Sequence, residues 1–244
     1  MELLKDECID NLPWGNLKII QNRKKFSYGI DAVLLSHFAR PKKNAAVLDL
    51  CSGNAIVPLM MSAKNSGCNF CGIEIQKEIS SLALRSIELN DLKEKISFYT
   101  GDLKESEKFF SKNYFDCVTV NPPYMKGQIQ KNQNENLVLA RHETACTLKD
   151  VIKCADRHLK STGDFFMIHR ANRLDDIFFE MSKSHLVVKS LRFVFPEKDK
   201  AATMVLLHAK KSAGRGMNVE APLIVYEKKG IYSQEVKAIY GGRF

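Results

Sequence analysis

Asn121-Pro122-Pro123-Tyr124 is a stretch whose residue types, in that order, could do chemistry. An Asn amide oxygen accepts a hydrogen bond from one N–H of an amino group, and a neighbouring prolyl carbonyl accepts from the other. A Tyr ring beside them offers a face for a planar group to stack on. Together they suit a planar –NH2 group such as the exocyclic amine of adenine. The prolines stiffen the arrangement, because proline fixes its own φ, donates no backbone hydrogen bond and drives the preceding residue out of helical geometry. The run before the motif, Tyr114-Phe115-Asp116-Cys117-Val118-Thr119-Val120, is rich in β-branched and aromatic residues and reads as a buried strand. A rigid turn between two elements would need no more than this, so the upstream sequence has to decide.

Upstream, Asp49, Glu74 and Asp102 each fall at or beside the end of an expected strand. Parallel strands end on one edge of their sheet, and ligands bind in the crevice outside that edge. Capping of the next helix is the ordinary use of an acid in such a place. Three such acids on consecutive strands, with Asn-Pro-Pro-Tyr on the fourth, point instead to one cleft. Asp49-Leu50-Cys51-Ser52-Gly53-Asn54-Ala55 has the shape of a nucleotide-cofactor turn, in which glycine lets the backbone approach a ligand at the mouth of a helix. It is not the Gly-x-Gly-x-x-Gly fingerprint. Cys51 and Ala55 stand where glycines are expected, leaving little room for a pyrophosphate, so a ligand without phosphates fits better. Glu74 lies 21 residues beyond Gly53, the spacing at which an acid meets ribose hydroxyls. Asp102, one strand further on, is suited to accept from an adenine amine.

The elements that must position these residues alternate from 46 to 183. Strands are expected at 46–50, 70–75, 96–100, 114–120 and 164–169, and helices at 55–65, 76–90, 103–110, 148–159 and 173–183. In the second helix Ile79, Leu82, Ala83, Ser86 and Ile87 follow a helical period and form a largely apolar stripe. Thr147 is placed to cap the fourth. Two longer strands, 187–195 and 202–209, suit an antiparallel hairpin at the sheet's edge. The pattern is that of an α/β fold, a doubly wound, seven-stranded, mainly parallel sheet with a C-terminal antiparallel hairpin. Ahead of it come a short strand at 17–21, a strand or turn near 26–29 and a helix at 31–39. The expected division is an extension over 1–40 acting as a lid, a domain over 41–210, and a basic tail over 211–244 that packs on or extends it. Residues 125–146 form a polar, amide-rich loop, of a length usually either functional or disordered.

The 244 residues carry a net charge of +9, and residues 198–244 hold nine Lys or Arg against four Asp or Glu. Lys18, Arg23, Lys24 and Lys25 add a second basic run. Such an excess fits a polyanion, although solvated surface lysines would look the same. No apolar run is long enough to cross a bilayer, and the first residues lack the features of a signal peptide. The seven scattered cysteines suit a reduced, cytoplasmic protein. Cys68-x-x-Cys71 has no partner pair at zinc spacing and reads as core, so no metal is expected.

With these residues in view, the chain resembles the S-adenosylmethionine-dependent methyltransferases with a Rossmann-like sheet. The likeness spans residues 26–210. Val47–Asn54 resembles their cofactor loop, Glu74 the ribose-binding acid and Asp102 the adenine-binding acid. Asn121-Pro122-Pro123-Tyr124 resembles the signature of enzymes that methylate exocyclic amines of nucleobases or glutamine amides. Phe26–Leu35 and Leu139-Ala140-Arg141-His142-Glu143 are similar to the bacterial tRNA adenine-N6 methyltransferases that modify valine tRNA beside its anticodon. The resemblance implies catalytic roles for Asn121, Pro122 and Tyr124. It implies S-adenosylmethionine as cofactor, bound by Asp49, Cys51, Gly53, Asn54, Glu74, Ile75, Asp102, Leu103, Asn121 and Tyr28. It implies RNA, tRNA above all, as partner, held by Pro123, Tyr124, Lys126, Arg141 and His142. A monomer is the default expectation. The alternatives are a glutamine-amide methyltransferase acting on release factors, disfavoured by the short N-terminal region; an rRNA guanine-N2 methyltransferase; and a non-catalytic RNA-binding module, favoured by the lost glycines.

Overall fold

The computed structural model of this chain describes residues 2–24, 27–123 and 146–241. Phe26, Tyr124, Lys126, Arg141 and His142, and with them all of the expected polar loop up to residue 145, lie outside the described residues.

Strands β3 (Ala46–Leu50), β4 (Asn69–Glu74), β5 (Ile96–Thr100), β6 (Phe115–Val120) and β7 (Leu159–Arg170) pair in parallel in the order β5-β4-β3-β6-β7. Val47, Leu48 and Leu50 of β3 and Val118 and Val120 of β6 are almost wholly buried. Central parallel strands covered on both faces must be apolar throughout, which is why these runs do not alternate. Helices α1 (Ile30–Phe38), α2 (Ile56–Lys64), α3 (Lys77–Leu89), α4 (Leu148–His158) and α5 (Leu174–Met181) cover the sheet, and the segment after β5 is a short 3-10 helix, Leu103–Lys108. The expected stripe of α3, Ile79, Leu82, Ala83, Ser86 and Ile87, is buried in full. Thr147 caps α4, its hydroxyl accepting from the Asp150 amide and the Asp150 carboxylate accepting from the Thr147 amide.

Beyond β7 the chain forms β8 (Leu186–Glu197) and β9 (Met204–Lys211). β9 inserts antiparallel between β7 and β8. These complete the seven expected strands, but the sheet does not stop there. Strand β10 (Asn218–Val219) pairs with β8, β11 (Leu223–Lys228) adds parallel to β8, and β12 (Ile231–Tyr232) turns back on β11, giving ten strands. Helix α6 (Gln234–Ile239) follows, and the Trp14 indole N–H donates to the Ile239 carbonyl at 2.6 Å, joining the two ends of the chain. At the other end, β1 (Glu7–Asn11) and β2 (Lys18–Asn22) make a separate hairpin, which packs through β2 on α3.

Gly72 in β4 marks a close approach that matters for the site. A Cβ built there would lie 2.5 Å from the Phe98 ring and 2.9 Å from the Ser52 hydroxyl. Gly72→Ala therefore pushes on both β5 and the loop after β3. It should lower stability by about 1–3 kcal/mol, read as a shift of the urea midpoint. An unshifted midpoint would show that this contact is not tight.

Candidate methyl-donor site

The parallel register brings the strand ends together. Leu50 pairs with Ile73 on one side and with Val120 on the other, and Glu74 pairs with Thr100. Cys51, Glu74 and Asn121 therefore leave the sheet at one level, on one edge. Backbone bonds fasten that edge: the Ser52 amide donates to the Ile73 carbonyl and the Gly101 amide to the Glu74 carbonyl, each at 3.0 Å.

A cleft opens here. Cys51, Glu74, Ile75, Asp102, Leu103 and Pro123 line it, all of them expected site residues, together with Ile73, Gly101 and Cys146. Glu74 is almost buried. Its Oε2 accepts from the Gly53 amide at 3.1 Å, and its Oε1 accepts from the backbone and side-chain nitrogens of Gln76. A carboxylate has about four acceptor positions, so Glu74 keeps capacity for a ligand hydroxyl. Asp102 caps the 3-10 helix, its Oδ1 accepting from the Lys104 amide. Ile75 and Leu103 supply apolar walls of the kind a flat ring needs. Two carboxylates with apolar flanks suit a ligand that pairs hydroxyl or amine donors with a flat ring, as a nucleoside does.

The loop after β3 keeps a glycine-type backbone without the glycines. Cys51, Gly53 and Ala55 have φ of +53°, +56° and +65°. Two of the three are residues for which that region costs on the order of 1–2 kcal/mol each. Ala55 serves as the N-cap of α2, with no side-chain hydrogen bond.

The remaining expected residues do not form the walls. Asp49 lies under the loop, 3 % exposed, its Oδ2 accepting from the Ser52 hydroxyl at 2.5 Å and its Oδ1 from the Thr119 hydroxyl at 2.6 Å. Burial pushes its carboxyl up to about 7, against the lowering effect of the two hydroxyls. Asn54 is wholly buried; its Nδ2 is 3.4 Å from the Ile20 carbonyl and its Oδ1 has no partner among the described residues. Gly53 contributes through its amide to Glu74. Tyr28 packs against the larger core cluster, its amide donating to Gln21 Oε1. Asn121 and Pro122 follow directly on Val120 at the cleft edge. Residues not anticipated are Cys146, beside the Thr147 cap, and the pair Ser52 and Thr119. His169, near the end of β7, is also new: the register of Val120 with Met167 sets it level with Pro122. It is buried, its Nδ1 accepts from the Arg170 amide at 2.9 Å, and burial first and Arg173 next lower its pKa to about 4.

The family model for the Methyltransferase small domain matches residues 16–190. The chain belongs to this family. Among its curated relatives are tRNA1(Val) (adenine(37)-N6)-methyltransferases. That of Dyadobacter fermentans is 23 % identical over 221 residues, covering 86 % of this chain and 88 % of the relative. That of Histophilus somni strain 129Pt is 25 % identical over 231 residues, covering 91 % of each. Among solved structures, a predicted O-methyltransferase from Agrobacterium tumefaciens aligns with TM-score 0.71 at 20 % identity, over 87 % of this chain and 96 % of that one. A geranyl diphosphate C-methyltransferase from Streptomyces coelicolor, solved with S-adenosyl-L-homocysteine, aligns at 0.56 and 12 %, over 75 % and 80 %. These two share the fold. The chain is thus a methyltransferase of the Rossmann-like type, and membership implies S-adenosylmethionine as the methyl donor. No helix is long and apolar enough to cross a membrane, and no group of His, Cys, Asp and Glu could hold a metal ion, among the described residues.

The raised pKa of Asp49 has a consequence for stability. A carboxyl whose folded value exceeds its unfolded one stabilises the fold fully below the unfolded pKa, near 3.8, and loses that contribution as pH rises through about 7. The unfolding free energy of the wild type relative to Asp49→Asn should therefore fall by about 1.4 kcal/mol per pH unit between pH 5 and 7, then level off. Urea unfolding of both proteins across that range reads it. A difference independent of pH would mean that Asp49 is already ionised.

Proposed function

We propose that the chain transfers a methyl group from S-adenosylmethionine to the exocyclic N6 of an adenine in tRNA. The observation that carries this reading is the register that brings Asn121-Pro122-Pro123 to the edge of a cleft walled by Glu74 and Asp102, with Pro123 itself part of the wall. The names of the curated relatives support adenine and tRNA as the target.

In this reading Glu74 accepts from the ribose hydroxyls of the donor, Asp102 from its adenine amine, and Ile75 and Leu103 flank that ring. The loop at Cys51, Gly53 and Asn54 leaves space for the remainder of the donor. S-adenosylmethionine, when bound, supplies a methyl carbon made electrophilic by the sulfonium charge. The amine of the target adenine is a weak nucleophile, because its lone pair is delocalised into the ring. The Asn121 side-chain oxygen and the Pro122 carbonyl accept its two N–H groups, draw the nitrogen toward tetrahedral geometry and hold it in line. Orientation of this kind contributes several kcal/mol to a barrier. Tyr124 stacks on the extruded base, about 1–3 kcal/mol, while Lys126, Arg141 and His142 hold the RNA. The nitrogen sheds its proton readily once methylated, so no dedicated base is required.

Tritiated methyl transfer to bulk tRNA, bulk rRNA and release factor in parallel, followed by nucleoside analysis, tests the assignment. Label in N6-methyladenosine from tRNA is expected. Label in N2-methylguanosine from rRNA, or in a glutamine of release factor, would replace it with the corresponding alternative. Within the tRNA reaction, Asn121→Ala should lower kcat by about a hundredfold while leaving S-adenosylhomocysteine affinity by calorimetry unchanged. Wild-type turnover in that variant would remove Asn121 from the mechanism.

A further inference from the structure

A second groove adjoins the cleft. Leu103 walls both, and the groove continues between the 3-10 helix and α4, lined by Lys104, Ser106, Asp150, Lys153 and Arg157. Ser106 gives it a fixed floor, almost wholly buried, with its hydroxyl 2.8 Å from His158 Nε2. Three cations here face one acid, and that acid is already engaged: Asp150 Oδ2 accepts from both the amide and the hydroxyl of Thr147. The acids of the 3-10 helix also have cations of their own, Glu105 with Lys108 at 2.6 Å and Glu107 with Arg157 at 2.5 Å. Lys104 pairs with Asp102 at 3.3 Å, beside the wall shared with the cleft. Lys149 and Lys153 are left over. Both are exposed, and neither has an ion-pair partner among the described residues. Lys149, Lys153 and Arg157 recur every four residues, so they lie along one side of α4, about 6 Å apart along its axis. The row starts three residues after Cys146, which lines the cleft.

We propose that the phosphate backbone of the RNA substrate runs along this groove as it leaves the cleft, held by Lys149 and Lys153. The inference rests on the proposed reading of the chain as an RNA methyltransferase, and adds to it the path of the strand. A row of cations beside a groove follows a backbone, where a single cation would hold only an isolated anion. Each neutralised phosphate releases condensed counterions, so these contacts supply affinity and register but carry no sequence information. Reading the base is left to the cleft. The two lysines are spare to the fold, because the buried face of α4 includes Val151, Ile152, Cys154 and Ala155. That packing and the Thr147 capping box hold α4 still, so the lysines are displayed from a rigid element at the cleft's border.

The test measures binding of bulk tRNA and bulk rRNA to the full-length protein by filter retention across a range of salt concentrations. The double variant Lys149→Ala, Lys153→Ala is compared with the wild type and with Lys42→Ala, Lys43→Ala. The latter removes the same charge from exposed residues ahead of β3, at the end of the strand away from the cleft. The groove variant should bind tRNA about tenfold more weakly, and its plot of log affinity against log salt should be shallower by about 1.5, as for two lost phosphate contacts. The control should match the wild type, and Lys149→Arg, Lys153→Arg should restore both affinity and slope. S-adenosylhomocysteine affinity by calorimetry should be equal throughout. Wild-type affinity and slope in the groove variant, an equal loss in the control, or a parallel fall in S-adenosylhomocysteine affinity overturns the groove. Methyl transfer to rRNA instead of tRNA would sink the tRNA assignment alone, since the same comparison on rRNA still decides the groove. A wild type that binds neither RNA overturns both.

Discussion

A single buried carboxyl joins the two halves of the site. Asp49 accepts from Ser52, within the loop that borders the cleft, and from Thr119, on the strand that carries Asn121. It thereby fixes the loop to β6 through one side chain, at a depth where each hydrogen bond is strengthened by the low dielectric. The same burial penalises its charged form and lifts its pKa. Asp49 is thus a joint between the loop after β3 and the strand that leads to Asn121.

Why Asp49 lies beneath the loop while Glu74 and Asp102 line the cleft follows from register. Asp49 pairs with Gly72 and Thr119 and lies one pair inside the last rung at Leu50. Glu74 is the last residue of β4, and Asp102 lies beyond β5 altogether. Strand identity was legible because apolar runs such as Val47–Leu50 and Cys117–Val120 have few other homes. The depth of one residue within a strand depends on pairing partners remote in sequence, which no local pattern contains. The same limit hid β1, whose Glu-Cys-Ile-Asp-Asn reads as polar loop, and β11, whose short apolar run sits in a basic, Gly-punctuated stretch. Both are held by neighbours rather than by their own propensity.

The loop after β3 shows how far a motif can drift without losing its form. Glycines are expected at 51 and 55 because left-handed backbone is inexpensive only for them. The chain keeps that backbone with Cys and Ala, so the conformation is imposed by the Asp49–Ser52 and Gly53–Glu74 hydrogen bonds and by the packing of a fully buried Ala55. The missing glycines therefore do not argue for a lost cofactor site. They change what lines it, since Cys51 puts a side chain on the wall where glycine would leave none.

The position of β6 suits the role proposed for the turn that follows it. It is flanked on both sides by parallel strands, β3 and β7, and Val118, Thr119 and Val120 have no measurable exposure. A turn rooted in such a strand inherits its rigidity, and the prolines carry that rigidity past the last rung. Direct transfer to a weak nucleophile depends on alignment more than on acid or base strength, and alignment costs least to maintain at the end of a buried strand held on both sides. A turn on β5 or β11, each near an open edge of the sheet, could present the same four residues with the same hydrogen-bonding capacity, but without neighbours on both sides to hold them still.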